Sequence, residues 1–182
     1  MSRMFVNPSD IELQEESVIS IKRVSKATTG GRRMRFNSLV VIGDGNGHVG
    51  IGFGKANDVA MAVSKAKEKA KKRIIKVPII KETIPHRIDI KHGSVRLMLK
   101  PAGPGTGIIA GGPVRAVCEV LGVKDIVSKS MGTANPHNVI RATMKALSKQ
   151  NSPKQISIIR NKKISEIVEK RGWWLRLIQQ AK

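Results

Sequence analysis

The feature that most restricts how this chain can fold is a segment in which every second residue is glycine. Between Val49 and Gly54, valine, isoleucine and phenylalanine alternate with three glycines. Because successive side chains of a strand point to opposite faces, one face of this strand is bare, and a helix or a nucleic-acid backbone can approach it closely. A helix is predicted directly afterwards, with Asn57 as its cap. Its apolar stripe consists mostly of alanine: Val59, Ala62, Val63, Ala66, Ala70 and Ile74.

Two further strands are predicted before this one, at residues 17–24 and 37–42. In the first strand Ile19 and Ile21 alternate with polar residues, and the second is more continuously apolar. The segment between them, residues 26–33, contains two adjacent glycines among basic residues and predicts a hairpin loop with a cationic tip. These elements predict a first domain over residues 15–80, after a flexible lead-in at 1–14.

A second α/β unit is predicted after a connector bracketed by Pro78 and Pro85. Alternating apolar residues on either side of Gly93 predict a β-hairpin. A glycine-rich stretch then leads into a helix that ends at Gly122, followed by a strand around residues 125–129 and a helix opened by Asn135. This domain is predicted over 81–150, with a helical tail over 151–182 that contains the pair Trp173-Trp174.

The charge of the chain indicates its partner. The 182 residues include 34 Lys and Arg against 13 Asp and Glu, a formal net charge of +21, and every segment shares the excess. Such self-repulsion favours a polyanionic partner that contacts the protein on several sides. No apolar run reaches the length of a membrane span, and no secretory signal is present, so a soluble, intracellular site of action is predicted. The single cysteine, Cys118, is predicted to be a core residue.

Three patterns suggest enzymatic chemistry. The glycines of residues 45–50 match the dinucleotide fingerprint G-x-G-x-x-G, but a strand follows where a helix is required, so a hairpin turn is predicted. Gly54-Lys55 lacks the rest of a P-loop. The loop at residues 103–107 precedes a helix and could hold an anion, which leaves a small-molecule phosphotransferase as the alternative function.

Residue types argue against that alternative. Residues 85–150 contain only Asp89, Glu119 and Asp125 as carboxylates, too few to hold the metal of a kinase. The four histidines lack metal-ligand spacing, and one cysteine cannot form a zinc knuckle, so neither a metal nor another cofactor is predicted. The chain has three Phe, two Trp and no Tyr, too few for a base-stacking platform. Recognition of RNA shape and backbone by Lys and Arg is therefore predicted.

Several long motifs, in the same order, resemble the family of the fifth protein of the bacterial small ribosomal subunit. In the first half they are Arg23-Val24-Ser25-Lys26, Gly30-Gly31-Arg32, Val41-Ile42-Gly43-Asp44-Gly45-Asn46-Gly47 and Val49-Gly50-Ile51-Gly52-Phe53-Gly54-Lys55-Ala56. In the second half they are Pro101-Ala102, Gly105-Thr106-Gly107-Ile108-Ile109-Ala110-Gly111-Gly112, Arg115-Ala116-Val117, Asn135-Pro136 and Val139-Ile140-Arg141-Ala142-Thr143.

The resemblance implies an α+β fold without enzymatic activity. The first domain would be double-stranded-RNA-binding-like, with a three-stranded antiparallel sheet and a helix. The second would share the fold of small-molecule kinases, with a left-handed βαβ unit. The implied function is to bind 16S-type ribosomal RNA in the small subunit and to stabilise its head-body junction. Combined with the basic pattern, the implied RNA-binding residues are Arg23, Ser25, Lys26, Gly30, Gly31, Arg32, Arg33, Arg35, Lys55, Lys65, Lys69 and Lys72.

The implied protein partners are ribosomal proteins four and eight, and contact with protein four would influence decoding accuracy, near the mRNA entry region. The interface residues are predicted to be Gly105, Thr106, Gly107 and Arg115. The implied location is the ribosome of a bacterial cytoplasm or of an organelle. Thr29 stands where the family commonly has lysine, which leaves the contact at the spectinomycin site open. Residues 171–182 extend beyond the usual end of the family.

Overall fold

The computed structural model describes residues 15–170. This part of the chain contains two four-stranded sheets and five helices. The first sheet is antiparallel throughout, and its strands are adjacent in chain order. Its strands are β1 (Glu15–Thr28), β2 (Gly31–Gly43), β3 (His48–Ala56) and β4 (Ile74–Lys76), and helix α1 (Val59–Lys71) connects the last two.

The second sheet is mixed and has the strand order β5-β6-β8-β7. Its strands are β5 (Ile88–His92), β6 (Val95–Pro101), β7 (Ile108–Ile109) and β8 (Ile126–Met131). Strands β7 and β8 are parallel and are connected by helix α2 (Gly112–Leu121), which makes a βαβ unit. The remaining helices are α3 (Pro136–Leu147), α4 (Pro153–Arg160) and α5 (Ile164–Lys170). The predicted α+β fold, an antiparallel sheet with a helix followed by an α/β half, is confirmed, although the first sheet has four strands and not the predicted three. The left-handed connection stays a prediction.

Helix α1 occupies the bare glycine face of β3. A Cβ atom on Gly52 would lie 1.8 Å from the carbonyl oxygen of Ala66, and one on Gly54 would lie 1.8 Å from that of Ala62. Both distances are far below van der Waals contact, so only glycine permits this approach. The three alanines Ala62, Ala66 and Ala70 are fully buried on the helix side. The bare face therefore packs against a helix rather than against nucleic acid.

The opposite face of the first sheet packs against the second half of the chain. Leu39, Val41 and Val49 belong to the same core cluster as Val117 of α2 and Ile140 of α3. The first sheet is thus buried on both sides over part of its length. The domain boundary near residue 80 stays a prediction, and the core extends across it.

The turn between β2 and β3 is bonded to the end of α2. The N–H groups of Gly45 and Gly47 donate to the carbonyl oxygens of Val120 and Leu121, at 3.2 and 3.1 Å. The last carbonyls of a helix have no partner within the helix, so the turn supplies donors that α2 lacks. Gly122 ends α2 in the left-handed conformation, as predicted, with φ +86°.

Several local predictions were wrong or incomplete. Asp58, not Asn57, is the N-cap of α1, and its side chain makes no capping bond. Ile74 belongs to β4, and Val59 is 38% exposed, so the buried stripe of α1 is shorter than predicted. Strands β4 and β7 were missed because each has only two or three residues, too few for a periodic pattern. The hairpin β5-β6 and the Asn135 cap of α3 are confirmed.

Candidate nucleic-acid interface

The hairpin between β1 and β2 is paired almost to its tip. Lys26 pairs with Arg33, and Thr28 pairs with Gly31, whose φ of +130° suits glycine. Only Thr29 and Gly30 lie between the strands. The predicted loop over residues 26–33 is therefore wrong, because a regular ladder holds most of its basic residues. Long apolar alternation ends before this segment, so the strand pattern gave no sign of the extension.

Strand register divides the predicted RNA-binding residues of the hairpin between two faces. Paired residues in an antiparallel ladder share a face, and neighbours in sequence lie on opposite faces. Lys26, Arg33 and Arg35 therefore lie on the side away from α1. Lys55 joins them through its pairing with Asn37, which also pairs with Lys22. We call Lys22, Lys26, Arg33, Arg35 and Lys55 the cationic face.

The cationic face is open and uncompensated. Four of its five cations, Lys26, Arg33, Arg35 and Lys55, line a cavity of about 350 Å³ that has no acidic lining residue within 15–170. None of the five has an ion pair or a side-chain hydrogen bond to another described residue. Lys22 was missed from the sequence, although it lies four residues from Lys26 and so on the same face of the strand. Like charges gathered without counter-charges favour an anionic ligand.

The other face of the hairpin contains three more of the predicted residues. Arg23, Ser25 and Arg32 lie on the side of α1, where Nε of Arg23 lies 3.0 Å from the sulfur of Met34. A thioether is a weak acceptor, so the charge of Arg23 stays available. All three residues are exposed. The structure therefore brings the predicted residues onto one hairpin but not onto one surface.

Helix α1 presents a second basic surface. Lys65, Lys69 and Lys72 follow one another at three- and four-residue spacing and line one flank, where Nζ of Lys69 donates to the carbonyl oxygen of Phe53 at 3.2 Å. Lys67, on the opposite flank, forms an ion pair with Glu16. Part of the basic run is thus compensated within the protein. Phosphate contact by Lys65, Lys69 and Lys72 stays a prediction.

The glycine-rich loop of the second half does not form an anion site. Helix α2 begins at Gly112, beyond β7, and so the loop at residues 103–107 does not lie at the helix N-terminus. The N–H of Gly107 donates to the carboxylate of Asp125 at 2.8 Å, and the N–H of Thr106 donates to the carbonyl of Gly103 at 3.2 Å. A carboxylate of the chain thus already occupies the donor that a phosphate would need. The anion-binding interpretation of this loop was wrong.

The predicted protein-interface residues lie on this loop and on the first turn of α2. Gly105 and Thr106 are exposed, and Gly107 is half-buried. Arg115 is exposed, and its Nε lies 2.9 Å from a carboxylate oxygen of Glu119, one helical turn later. Exposed pairs of this kind contribute little to stability. Their role in binding another protein stays a prediction.

Asp44 organises the turn that resembles a dinucleotide motif. Its Oδ1 accepts the N–H groups of Asn46 and His48 at 2.8 and 3.0 Å, and its Oδ2 lies 2.6 Å from Nδ1 of His48. Burial acts to raise the pKa of Asp44, but the hydrogen bonds from Asn46 and His48 outweigh it and lower that pKa below its ordinary value. Because Gly45 and Gly47 donate to α2, their amides cannot hold a pyrophosphate. The predicted turn is confirmed.

Three other features that bear on function are a reactive thiol, a metal site and a membrane-spanning helix. Cys118 is fully buried in the core, as predicted, and burial followed by the charge of Glu119 raises the pKa of its thiol to about 12. Such a thiol is not a nucleophile near neutral pH. Within 15–170, no three histidine, cysteine, aspartate or glutamate side chains are grouped to bind a metal ion. No helix in the same range is both long and apolar enough to cross a membrane. The Trp173-Trp174 pair lies outside the described residues.

A smaller cavity, which the sequence did not reveal, lies where β1, β2 and β3 meet the start of α3. It measures about 280 Å³, and its lining includes Lys22, Asn37, Phe53 and His137. The rings of Phe53 and His137 meet edge to face, with centroids 5.3 Å apart. Burial, followed by the charge of Arg141, lowers the pKa of His137, so the ring is neutral at pH 7.

Each half of the chain matches a known protein family. Residues 14–78 match the family described as ribosomal protein S5, N-terminal domain, and residues 90–160 match ribosomal protein S5, C-terminal domain. The small ribosomal subunit protein uS5 of Pelagibacter ubique is 58% identical over 158 residues, which cover 86% of this chain and 93% of that protein. The uS5 protein of Chloroflexus aurantiacus is 48% identical over 171 residues, covering 94% and 96%.

The fold, the uncompensated cationic face and these matches define the class first: the chain is a structural, non-enzymatic ribosomal protein of the bacterial type. It belongs to the ribosomal protein S5 family, with both the N-terminal and the C-terminal domain present. The phosphotransferase alternative is therefore excluded.

Proposed function

We propose that the chain is a structural constituent of the small ribosomal subunit, and that it binds 16S-type ribosomal RNA mainly through phosphates. The observation that carries this proposal is the cationic face, whose five Lys and Arg residues have no ionic partner within 15–170. Phosphates are the most abundant anions on RNA, and their neutralisation releases counterions. Lys65, Lys69 and Lys72 would contact a second part of the RNA, because α1 lies on the opposite side of the sheet.

The β1-β2 hairpin is the proposed contact with the head-body junction. Basic groups lie on both faces of this hairpin, at Arg23, Lys26, Arg32 and Arg33. The other proposed contacts of the hairpin, Ser25, Gly30 and Gly31, carry no charge. A two-faced hairpin can insert between RNA segments and neutralise phosphates on either side. Because Thr29 and Gly30 are the only unpaired residues, ordering on binding would be confined to the tip. The ladder itself would enter preformed, at little cost in entropy.

Salt dependence tests phosphate binding. Replacing both Arg33 and Arg35 with alanine removes two proposed contacts, and the slope of log affinity against log salt should fall by roughly 0.7 to 0.9 per lost phosphate. Filter binding to small-subunit RNA across a salt series measures this slope.

The matched control is the double variant Arg87→Ala and Lys124→Ala, which removes the same charge. Both residues already have carboxylate partners, Asp89 and Glu82. Its slope should equal that of the unaltered protein. Equal slopes for the two double variants would show that net charge, and not the cationic face, determines binding.

We further propose that the loop at 103–107 and the start of α2 meet ribosomal protein four, that ribosomal protein eight is a second neighbour, and that the former contact supports decoding accuracy close to the mRNA entry region. The support is the exposure of Gly105, Thr106 and Arg115. The bacterial relatives favour the ribosome of a bacterial cytoplasm over an organellar one.

Arg115→Asp should raise misreading in a reporter assay several-fold over background while the melting temperature of the protein stays unchanged. The reason is that the altered charge would oppose the partner, whereas the lost pair with Glu119 is worth only about 0.3–0.5 kcal/mol. Glu119→Gln breaks the same pair but keeps the arginine, and it should leave accuracy unaltered. If both variants raise misreading equally, the effect comes from the ion pair and not from an interface at Arg115.

A further inference from the structure

The cavity beside α3 is too large to be filled by one water molecule. Its volume is about 280 Å³, whereas a water molecule occupies about 30 Å³ in the liquid. Leu39, Phe53 and Pro136 supply apolar walls, and Lys22 and Asn37 supply polar ones. The space is therefore large enough for a small organic group that has an apolar face and a polar edge.

Three residues that line this cavity each have a buried polar atom without a partner. They are Oδ1 of Asn37, Oγ of Ser38 and Nδ1 of His137, and none of these atoms makes a hydrogen bond within the described residues. Buried side-chain polar atoms are normally satisfied, so unsatisfied atoms in residues that line one cavity favour a group that binds there. Asn37 and His137 come from different halves of the chain, which means that the site exists only in the assembled fold.

Phe53 adds an unusual surface. Phe53 is a large aromatic residue and is nevertheless 39% exposed. The ring of His137 contacts its ring with an angle of 63° between the two ring planes. The edge-to-face arrangement leaves much of the Phe53 ring uncovered. Such a ring offers a stacking surface for a planar ligand.

Charge identifies the class of ligand. Lys22, Asn37 and Lys55 are paired neighbours across three strands, so two members of the cationic face lie at the same level of the sheet as the cavity. Arg35 lies two residues before Asn37 in β2, on the same face. A planar group with a polar edge that is attached to a polyanion is a nucleobase of a single-stranded segment.

We propose that this cavity holds one unpaired base of the bound RNA, stacked on Phe53 and hydrogen-bonded to Asn37 and His137, while Lys22 and Lys55 neutralise the adjacent phosphates. This inference rests on the proposed function, to which it adds a base-dependent contact. The rest of the cationic face still binds phosphates without regard to base.

Fluorescence anisotropy with the full chain tests the proposal. The probes are uridine and adenosine ten-mers and an abasic ribose-phosphate ten-mer with the same number of phosphates. A base-bearing ten-mer should bind roughly five- to 150-fold more tightly than the abasic one, the range for one base stacked on an aromatic ring. The double variant Asn37→Ala and His137→Ala removes the two hydrogen-bonding side chains but keeps the Phe53 ring, so it should lose part of this difference, with an unchanged salt slope.

The matched control is the double variant Asn138→Ala and His92→Ala, which removes the same residue types outside the cavity and should keep the difference. Photocrosslinking of a 4-thiouridine ten-mer to the unaltered protein avoids any folding defect of the variants. It should label a peptide that contains Phe53 or His137. Labelling only of other peptides would overturn the proposal.

Equal affinity of the unaltered protein for base-bearing and abasic ten-mers would also overturn the base pocket. That result, expected if the cavity instead receives a side chain of a neighbouring protein, would leave phosphate binding intact. Failure of every ten-mer to bind at low salt would contradict the proposed function itself, so the two failures are distinguishable.

Discussion

Replacing Gly52 with alanine is expected to lower the free energy of unfolding by about 3 kcal/mol or more, the upper range for overpacking. The added Cβ would lie 1.8 Å from the carbonyl oxygen of Ala66 and 2.7 Å from the amide nitrogen of Ala70. Both atoms belong to the backbone of α1, so a change of rotamer cannot relieve the clash, and the helix must move off the sheet. Urea denaturation followed by circular dichroism measures the loss.

Gly112→Ala is the matched control. Gly112 lies in the first turn of α2 with no atom within 4 Å of an added Cβ, and its φ is not positive. Alanine there should change stability by less than about 0.5 kcal/mol or increase it slightly. Similar losses for Gly52→Ala and Gly112→Ala would contradict the role given to the bare face of β3.

Gly122→Ala is expected to cost about 3 kcal/mol or more, because strain and a clash combine at this position. Gly122 has φ +86°, and an added Cβ would lie 1.8 Å from the carbonyl oxygen of Gly45 in the first half of the chain. The clash would separate α2 from the β2-β3 turn, and the hydrogen bonds to Val120 and Leu121 would be lost. The same urea titration measures the effect.

Gly105→Ala separates the two causes. Gly105 has nearly the same φ, +84°, but no atom lies within 4 Å of an added Cβ. Its alanine variant should therefore show only the left-handed backbone cost, about 1–2 kcal/mol. The excess loss in Gly122→Ala then measures the contact between the two halves, and no excess would show that this contact contributes nothing to stability.

Periodic elements of the fold were predictable from the sequence. The alternation of glycine in β3 and the spacing of alanine in α1 are both local patterns. Together they predict that the strand and the helix pack closely against each other. The hairpin β5-β6 likewise follows from the alternation of apolar residues. Gly122 indicates where α2 ends, and Asn135 indicates where α3 begins. Short strands such as β4 and β7 depend on distant pairing and leave no periodic trace.

The candidate site was predictable only in part. Basic residues of the hairpin could be named, but the face on which each lies depends on the register of β1 against β2, including an irregularity between Val18 and Ser20. Lys22 could have been found by extending the alternation back from Lys26. The cavity with Asn37 and His137 could not, because it forms between two halves whose relative position no local pattern encodes.

The bonds from the β2-β3 turn to α2 also have a consequence for the order of folding. The first half emerges earlier during synthesis and can form its sheet and α1 from nearby segments. Leu39, Val41 and Val49 then stay uncovered, and the amides of Gly45 and Gly47 lack their acceptors, until α2 arrives. A single urea transition in the titrations above would be the sign of this coupling. A chain halted between the halves would therefore expose an apolar sheet face and be prone to aggregate, so the first half is not an independent module of the nascent protein.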